Sequence, residues 1–203
     1  MSYTEMYKVD REGNVRHAAE FHNASHGAWL VWKQLCERYL PGKDLVMSLI
    51  KLDDGGMQEV WDLWKNPAVS LTHRIVMAST FDRVMVRCEN LPRLIEAIEE
   101  YVNDFDRPHL IQPSELIVYP ANAPPPPFPD REALPTTTLS AQARKLRELA
   151  QDDGVAAVCW NQTSVNCNPW WVYNGDDEED EGRPYNINVD ENHWFLFEGI
   201  DAQ

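Results

Sequence analysis

The chain is short of basic residues, and most of the shortage lies in one place. Residues 151–203 hold a single one, Arg183, against 12 acidic side chains. Over all 203 residues, 18 Lys and Arg stand against 33 Asp and Glu, for a formal net charge of −15. Nucleic acids and anionic bilayers attract proteins through basic groups, so neither is an expected direct partner. Glycine is also sparse, at nine residues, and neither G-x-x-x-x-G-K-[ST] nor G-x-G-x-x-G occurs, which excludes P-loop nucleotide hydrolysis. The G-x-S-x-G nucleophile elbow and the H-E-x-x-H zinc pair are missing too. These absences leave open an enzyme whose residues are brought together only by folding.

No stretch approaches the ~20 apolar residues of a membrane span. Met1–Asp10 has neither a basic n-region nor an apolar h-region, so a soluble, cytoplasmic protein is expected. Four cysteines, Cys36, Cys88, Cys159 and Cys167, show no C-x-x-C spacing and read as reduced thiols rather than a disulfide frame.

With 43% hydrophobic and 25% charged residues, the composition is that of a folded globular protein. Asp10–Asn14 has turn composition and predicts a hairpin of residues 3–9 and 15–21. Ala28, Trp29, Trp32, Leu35, Cys36 and Tyr39 predict an amphipathic helix after the N-cap Ser25, ended by Pro41-Gly42. A short buried strand is expected over Leu45–Lys51. Met57, Val60, Trp61 and Trp64 predict a second helix, ended by Asn66-Pro67. The runs His73–Ser79 and Arg83–Cys88 predict a strand hairpin. A longer helix follows from the spacing of Leu91, Leu94, Ile95, Ile98, Tyr101, Val102 and Phe105, with Asn90 as its cap.

Nine of the 14 prolines fall between Pro108 and Pro135, so residues 108–135 read as an extended connector, with Leu116–Tyr119 as a strand inside it. Beyond it, a helix is expected to open at Thr138 or Ser140, followed by a strand over Gly154–Trp160. A terminal hairpin of Pro184–Val189 and His193–Phe197 closes the reading. The pattern is α+β, with antiparallel hairpins and three to four amphipathic helices. It divides into an N-terminal lobe (1–107), the connector, and an acidic lobe (136–203) packed on the first.

Candidate chemistry concentrates in residues 160–193. Asp176, Asp177, Glu178, Glu179, Asp180 and Glu181 form one uninterrupted acidic run between Gly175 and Gly182. Six like charges repel one another and resist packing, so a solvated loop is expected, without the alternating ligands and central glycine of a calcium loop. Trp160, Trp170 and Trp171 bracket a series of carboxamides and hydroxyls, including Asn161, Gln162, Thr163 and Asn166. Adjacent strand residues face opposite ways, so at least one of Trp170 and Trp171 is expected at the surface. His17, His22 and His26 lie near Glu20, and His22 and His26 are four apart. A helix starting after His26 spoils that alignment, so no metal site is expected. Cys159 and Cys167 with His193 match no zinc spacing, and acidic surroundings disfavour a thiolate nucleophile. No cofactor is expected.

The leading functional expectation is a non-enzymatic interaction protein. Its surface of Trp170, Trp171, Tyr173 and the six acids meets a basic protein, as an inhibitor that mimics nucleic acid or as an immunity protein that neutralises a toxin. The alternative is a small-molecule-binding or hydrolytic domain with a polar pocket at Trp160, Asn161, Gln162, Thr163, Asn166 and His193. A third reading turns the acidic loop inward onto Arg144, Lys145 and Arg147.

Overall fold

The computed structural model describes residues 3–22, 25–42, 56–105, 134–162, 168–173 and 182–202. The expected strands Leu45–Lys51 and Leu116–Tyr119 and nearly all of the proline-rich connector lie outside these residues. So do Thr163, Asn166, Cys167 and the acidic run Asp176–Glu181.

Strands β1 (Tyr3–Asp10) and β2 (Val15–His22) form the expected antiparallel hairpin. Its turn places Gly13 at φ +86°. A Cβ there would fall 3.0 Å from the side-chain oxygen of Asn186, so both backbone and space call for glycine. Helix α1 (Ser25–Tyr39) follows, then α2 (Gly56–Trp61), which runs into a 3₁₀ turn (Asp62–Lys65) and stops before Pro67. After α3 (Leu71–Ser79) come β3 (Val84–Arg87), a 3₁₀ turn (Cys88–Asn90) and α4 (Leu91–Asp104). Helix α5 (Leu134–Leu149) begins earlier than expected, inside the last two residues assigned to the connector. The remaining elements are β4 (Val155–Asn161), β5 (Trp171–Val172), β6 (Arg183–Pro184), β7 (Trp194–Phe195) and α6 (Leu196–Asp201).

The architecture is α+β. Five strands form a mixed sheet in the order β2-β1-β4-β3-β7, antiparallel except for the β3–β7 pair. Central β4 comes from the sequence after the connector, while its neighbours β1 and β3 come from before it, so both parts of the chain share one sheet. One extra residue, Ala156, stands against the Val9–Asp10 step of β1. The bulge turns Val155 and Ala157 to opposite faces.

One face carries Met6, Val84, Val86, Val158 and Trp160, covered by the helices. The other carries Tyr7, Val9, Met85, Ala157 and Cys159, covered by Trp170, Val172, Tyr185 and Phe195 from the chain after β4. Both faces are therefore buried, which is why β4 reads as a continuous apolar run rather than an alternating one.

Two expected hairpins are not formed. His73–Ser79 is helical: Ser70 Oγ accepts from the backbone N–H of His73 at 3.3 Å and caps α3. Residues Ile75 to Ser79 are all buried, because α3 packs against α1, α4 and α6. A helix covered on every side loses its polar stripe and imitates a buried strand. The terminal hairpin fails for a different reason. Arg183–Pro184 pairs with Trp171–Val172 instead, and the next residues dock on the β1–β2 turn, where Ile187 N–H donates to Gly13 O at 2.9 Å. Trp194–Phe195 then pairs with β3 in parallel, and Phe197 belongs to α6.

Candidate functional site

The β5–β6 ladder joins Trp171 to Pro184 and Val172 to Arg183. Residues 174–181, which carry the six acids, connect the two strands, so their attachment points Tyr173 and Gly182 are fixed side by side. Gly182 sits at φ +60°, and a Cβ would lie 2.6 Å from the Val172 carbonyl oxygen, so no side chain fits beside the Trp171 indole.

Trp170 departs from the expected surface role. It is 1% exposed, and its indole N–H donates to the Trp160 carbonyl at 2.7 Å while its ring meets the edge of Tyr185. The ring seals the sheet face below it and offers no contact area to a partner. Trp171 is half-buried, and Tyr173 is 59% exposed. Trp171 lines an open cleft of about 450 Å³ together with Arg83, Pro169, Val172, Asp190 and Glu191. Val189, 70% exposed, stands on its rim.

Charges around the cleft are organised. Arg183 grips Asp190 with two bonds of 2.6 and 2.7 Å, and Asn186 N–H adds a third at 2.8 Å. The Arg183 guanidinium holds the Asp190 carboxyl below its ordinary range, even against partial burial. Tyr185 OH lies 2.9 Å from the Asp190 carbonyl and 3.0 Å from His193 Nδ1. Burial raises the Tyr185 phenol pKa, so it stays protonated.

The described residues of the alternative polar pocket, Trp160, Asn161, Gln162 and His193, do not converge on one cavity. Trp160 is buried under the helices. Gln162 Nε2 donates to the Ser79 carbonyl of α3 at 2.7 Å, toward the helical layer. Asn161 Nδ2 donates to Glu5 at 3.0 Å, in a cluster with Tyr7 and Asn168. His193 packs instead on Tyr185 and Phe195. Asn161 and Gln162, at 7% and 6% exposure, fasten β4 to its neighbours rather than reaching solvent.

Cys159 is fully buried, and burial pushes its thiol well up, which removes the thiolate a nucleophile needs. Cys159 should remain unlabelled by iodoacetamide at neutral pH in the folded protein and react fully in denaturant, as read by peptide mass spectrometry. Labelling of the native protein at a rate near that of the unfolded chain would contradict this packing. His22 ends β2 and His26 lies in the first turn of α1, so their spacing does not fall on one helix. Among the described residues, no three His, Cys, Asp or Glu side chains gather as metal ligands. Two of the three α5 cations of the third reading have partners of their own: Arg147 pairs with Glu99 of α4, and Lys145 with Glu148 at 2.8 Å.

Two features escaped sequence reasoning. His73, 2% exposed, bonds Asp104 through Nε2 and Tyr39 OH through Nδ1, each at 2.8 Å. Arg38 reaches the same Asp104 carboxylate at 2.5 Å. The order acid, imidazole, hydroxyl resembles a catalytic relay, but the rings of Tyr101 and Phe105 close on His73 at 5.3 and 5.2 Å. The cluster is a clamp joining α1, α3 and α4. Arg83 is the second: it has φ +61°, the one non-glycine residue with positive φ among the described residues, and it lines the cleft. No local pattern in the sequence marks either, since their partners lie far away along the chain.

No protein-family model, no characterised protein and no solved structure matches this chain. Among the described residues, no helix is long and apolar enough to cross a membrane.

Proposed function

We propose that this protein is a non-enzymatic interaction protein whose acidic β5–β6 end docks on a basic protein. The concrete form is inhibition of a nucleic-acid-binding protein by charge mimicry, or neutralisation of a basic toxin. The reading rests on one observation above all: the ladder fixes both ends of a six-carboxylate segment beside a cleft walled by Trp171 and next to the exposed ring of Tyr173. Such a segment raises the encounter rate with a cationic partner, while aromatic contact slows dissociation. Of the neighbouring cations, Arg183 is held by Asp190, and on α5 Arg147 and Lys145 pair with Glu99 and Glu148.

Changing all six acids to Asn or Gln is expected to alter stability by less than ~0.5 kcal/mol, as for surface sites without fixed partners. Urea denaturation measures it, and a loss above ~2 kcal/mol would favour an internal role for the acids instead. In affinity capture followed by titration of the purified captured protein, Trp171→Ala with Tyr173→Ala should weaken binding at least ~tenfold by faster dissociation. Unchanged affinity would remove these rings from the docking surface.

A further inference from the structure

Arg83, like Arg11, is held through a backbone carbonyl. Its Nη1 donates to the Asn192 carbonyl at 3.2 Å, and no carboxylate among the described residues pairs with it. Arg38, Arg87, Arg93, Arg147 and Arg183 each pair with one. Asp190, which lines the same cleft, is occupied on both oxygens by Arg183. Arg83 is also fixed at its backbone, since its carbonyl accepts from Trp194 N–H at 3.1 Å.

The bond from Nη1 leaves the opposite edge of the guanidinium, Nε and Nη2, for another group. That edge offers two parallel N–H donors, the arrangement that receives a carboxylate in bidentate fashion. The same cleft is also lined by Glu191, which is exposed and carries the opposite charge. Pro169, Trp171, Val172 and Val189 belong to the same lining and offer flat and aliphatic contact. The volume, about 450 Å³, falls within the ~300–1,000 Å³ usual for small-molecule sites.

We propose that this cleft binds a free α-amino acid with an aromatic or branched apolar side chain. Arg83 receives the carboxylate, Glu191 faces the ammonium, and Trp171 with Val189 covers the side chain. A zwitterion suits the location better than an anion, because it carries no net charge into the most acidic part of the chain. The inference goes beyond the partner surface and uses none of the six acids.

The test is a titration of the ¹⁵N-labelled full chain with L-phenylalanine, N-acetyl-L-phenylalanine and L-phenylalaninamide, followed at the Trp171 indole and the Arg83 Nε–H signals. The zwitterion should give saturable shifts at both. The acetylated form loses the ammonium and the amide loses the carboxylate, so each should bind at least ~tenfold more weakly, the loss of one charge-assisted bond. Arg83→Gly should abolish saturation in an otherwise native spectrum, because glycine adopts φ +61° readily. No saturable shift up to ~10 mM phenylalanine would overturn the proposal. So would Arg83→Gly binding as the wild type does, or equal binding of all three probes. Stronger binding of the cationic amide would overturn it as well and would turn the cleft over to a basic side chain of the partner.

Discussion

Trp170→Ala is expected to cost ~3–5 kcal/mol, the range for removing a large buried aromatic ring. For a chain of this length that corresponds to a Tm lower by roughly 6–20 °C. The ring is 1% exposed, touches the edge of Tyr185, and spends its indole N–H on the Trp160 carbonyl. Its own carbonyl accepts from Tyr185 N–H at 3.0 Å, so the segment leading into β5 and the one leaving β6 are sewn together at this residue. The second core, around Tyr7, Val9, Met85 and Cys159, has no helix packed on it among the described residues and depends on this cover. Trp171→Ala, one residue on, should cost less, under ~1 kcal/mol, because that residue is only partly buried. Equilibrium urea denaturation of the two variants gives the comparison. Equal losses would contradict the inward and outward assignment of the pair.

His73→Ala is expected to cost on the order of 3 kcal/mol at neutral pH, since it empties an enclosed ring site and takes one partner each from the Tyr39 hydroxyl and from the Asp104 carboxylate, which keeps Arg38. The pH dependence is more diagnostic. Burial lowers the His73 pKa below its ordinary 6.5, with Arg38 acting in the same direction and together outweighing the attraction of Asp104. The unfolded chain therefore takes up a proton near 6.5 that the folded chain refuses, and stability falls as pH drops from there toward the folded value. Asp104 is depressed below 3.8, chiefly by its bond to Arg38. Its contribution is complete above the unfolded carboxylate range and fades as pH falls through its folded value. Both groups thus destabilise the fold on acidification, in succession. His73→Phe removes the imidazole step and keeps the ring packing. Its stability should be flatter than wild type between pH ~6.5 and ~4.5, with the carboxylate step remaining below. Denaturation midpoints at half-unit pH intervals measure both. Parallel curves for the two proteins would contradict the clamp.

Local signals carried most of the fold. Asp10–Asn14 announces its hairpin, and the three- and four-residue steps from Leu91 to Phe105 announce α4. The clean failures were places where tertiary surroundings overrode local pattern. Helix α3 is buried without a break from Ile75 to Ser79 because three helices pack against it, and so short a buried run looks alike as helix or strand. β7 pairs in parallel with a strand more than a hundred residues earlier, a partner no nearby turn can indicate. For the site, the sequence located the dense segment but not the direction of its side chains. The inward turn of Trp170, and of Asn161 and Gln162, depends on which sheet face the chain crosses after β4. Arg83 was invisible for the same reason, since the cleft it lines is completed by Pro169, Trp171, Val172, Tyr185 and Val189–Asn192.

The most direct test of the docking proposal is the affinity of the purified captured partner for wild-type protein and for the variant with Asp176, Asp177, Glu178, Glu179, Asp180 and Glu181 changed to Asn or Gln, each at low and high salt. The account predicts a wild-type affinity that falls steeply between ~50 and ~300 mM salt, over which the Debye length shortens from ~14 to ~6 Å. It predicts a neutralised variant that binds at least ~tenfold more weakly at low salt and changes little as salt is raised. Equal affinity and equal salt dependence in the two proteins would contradict it.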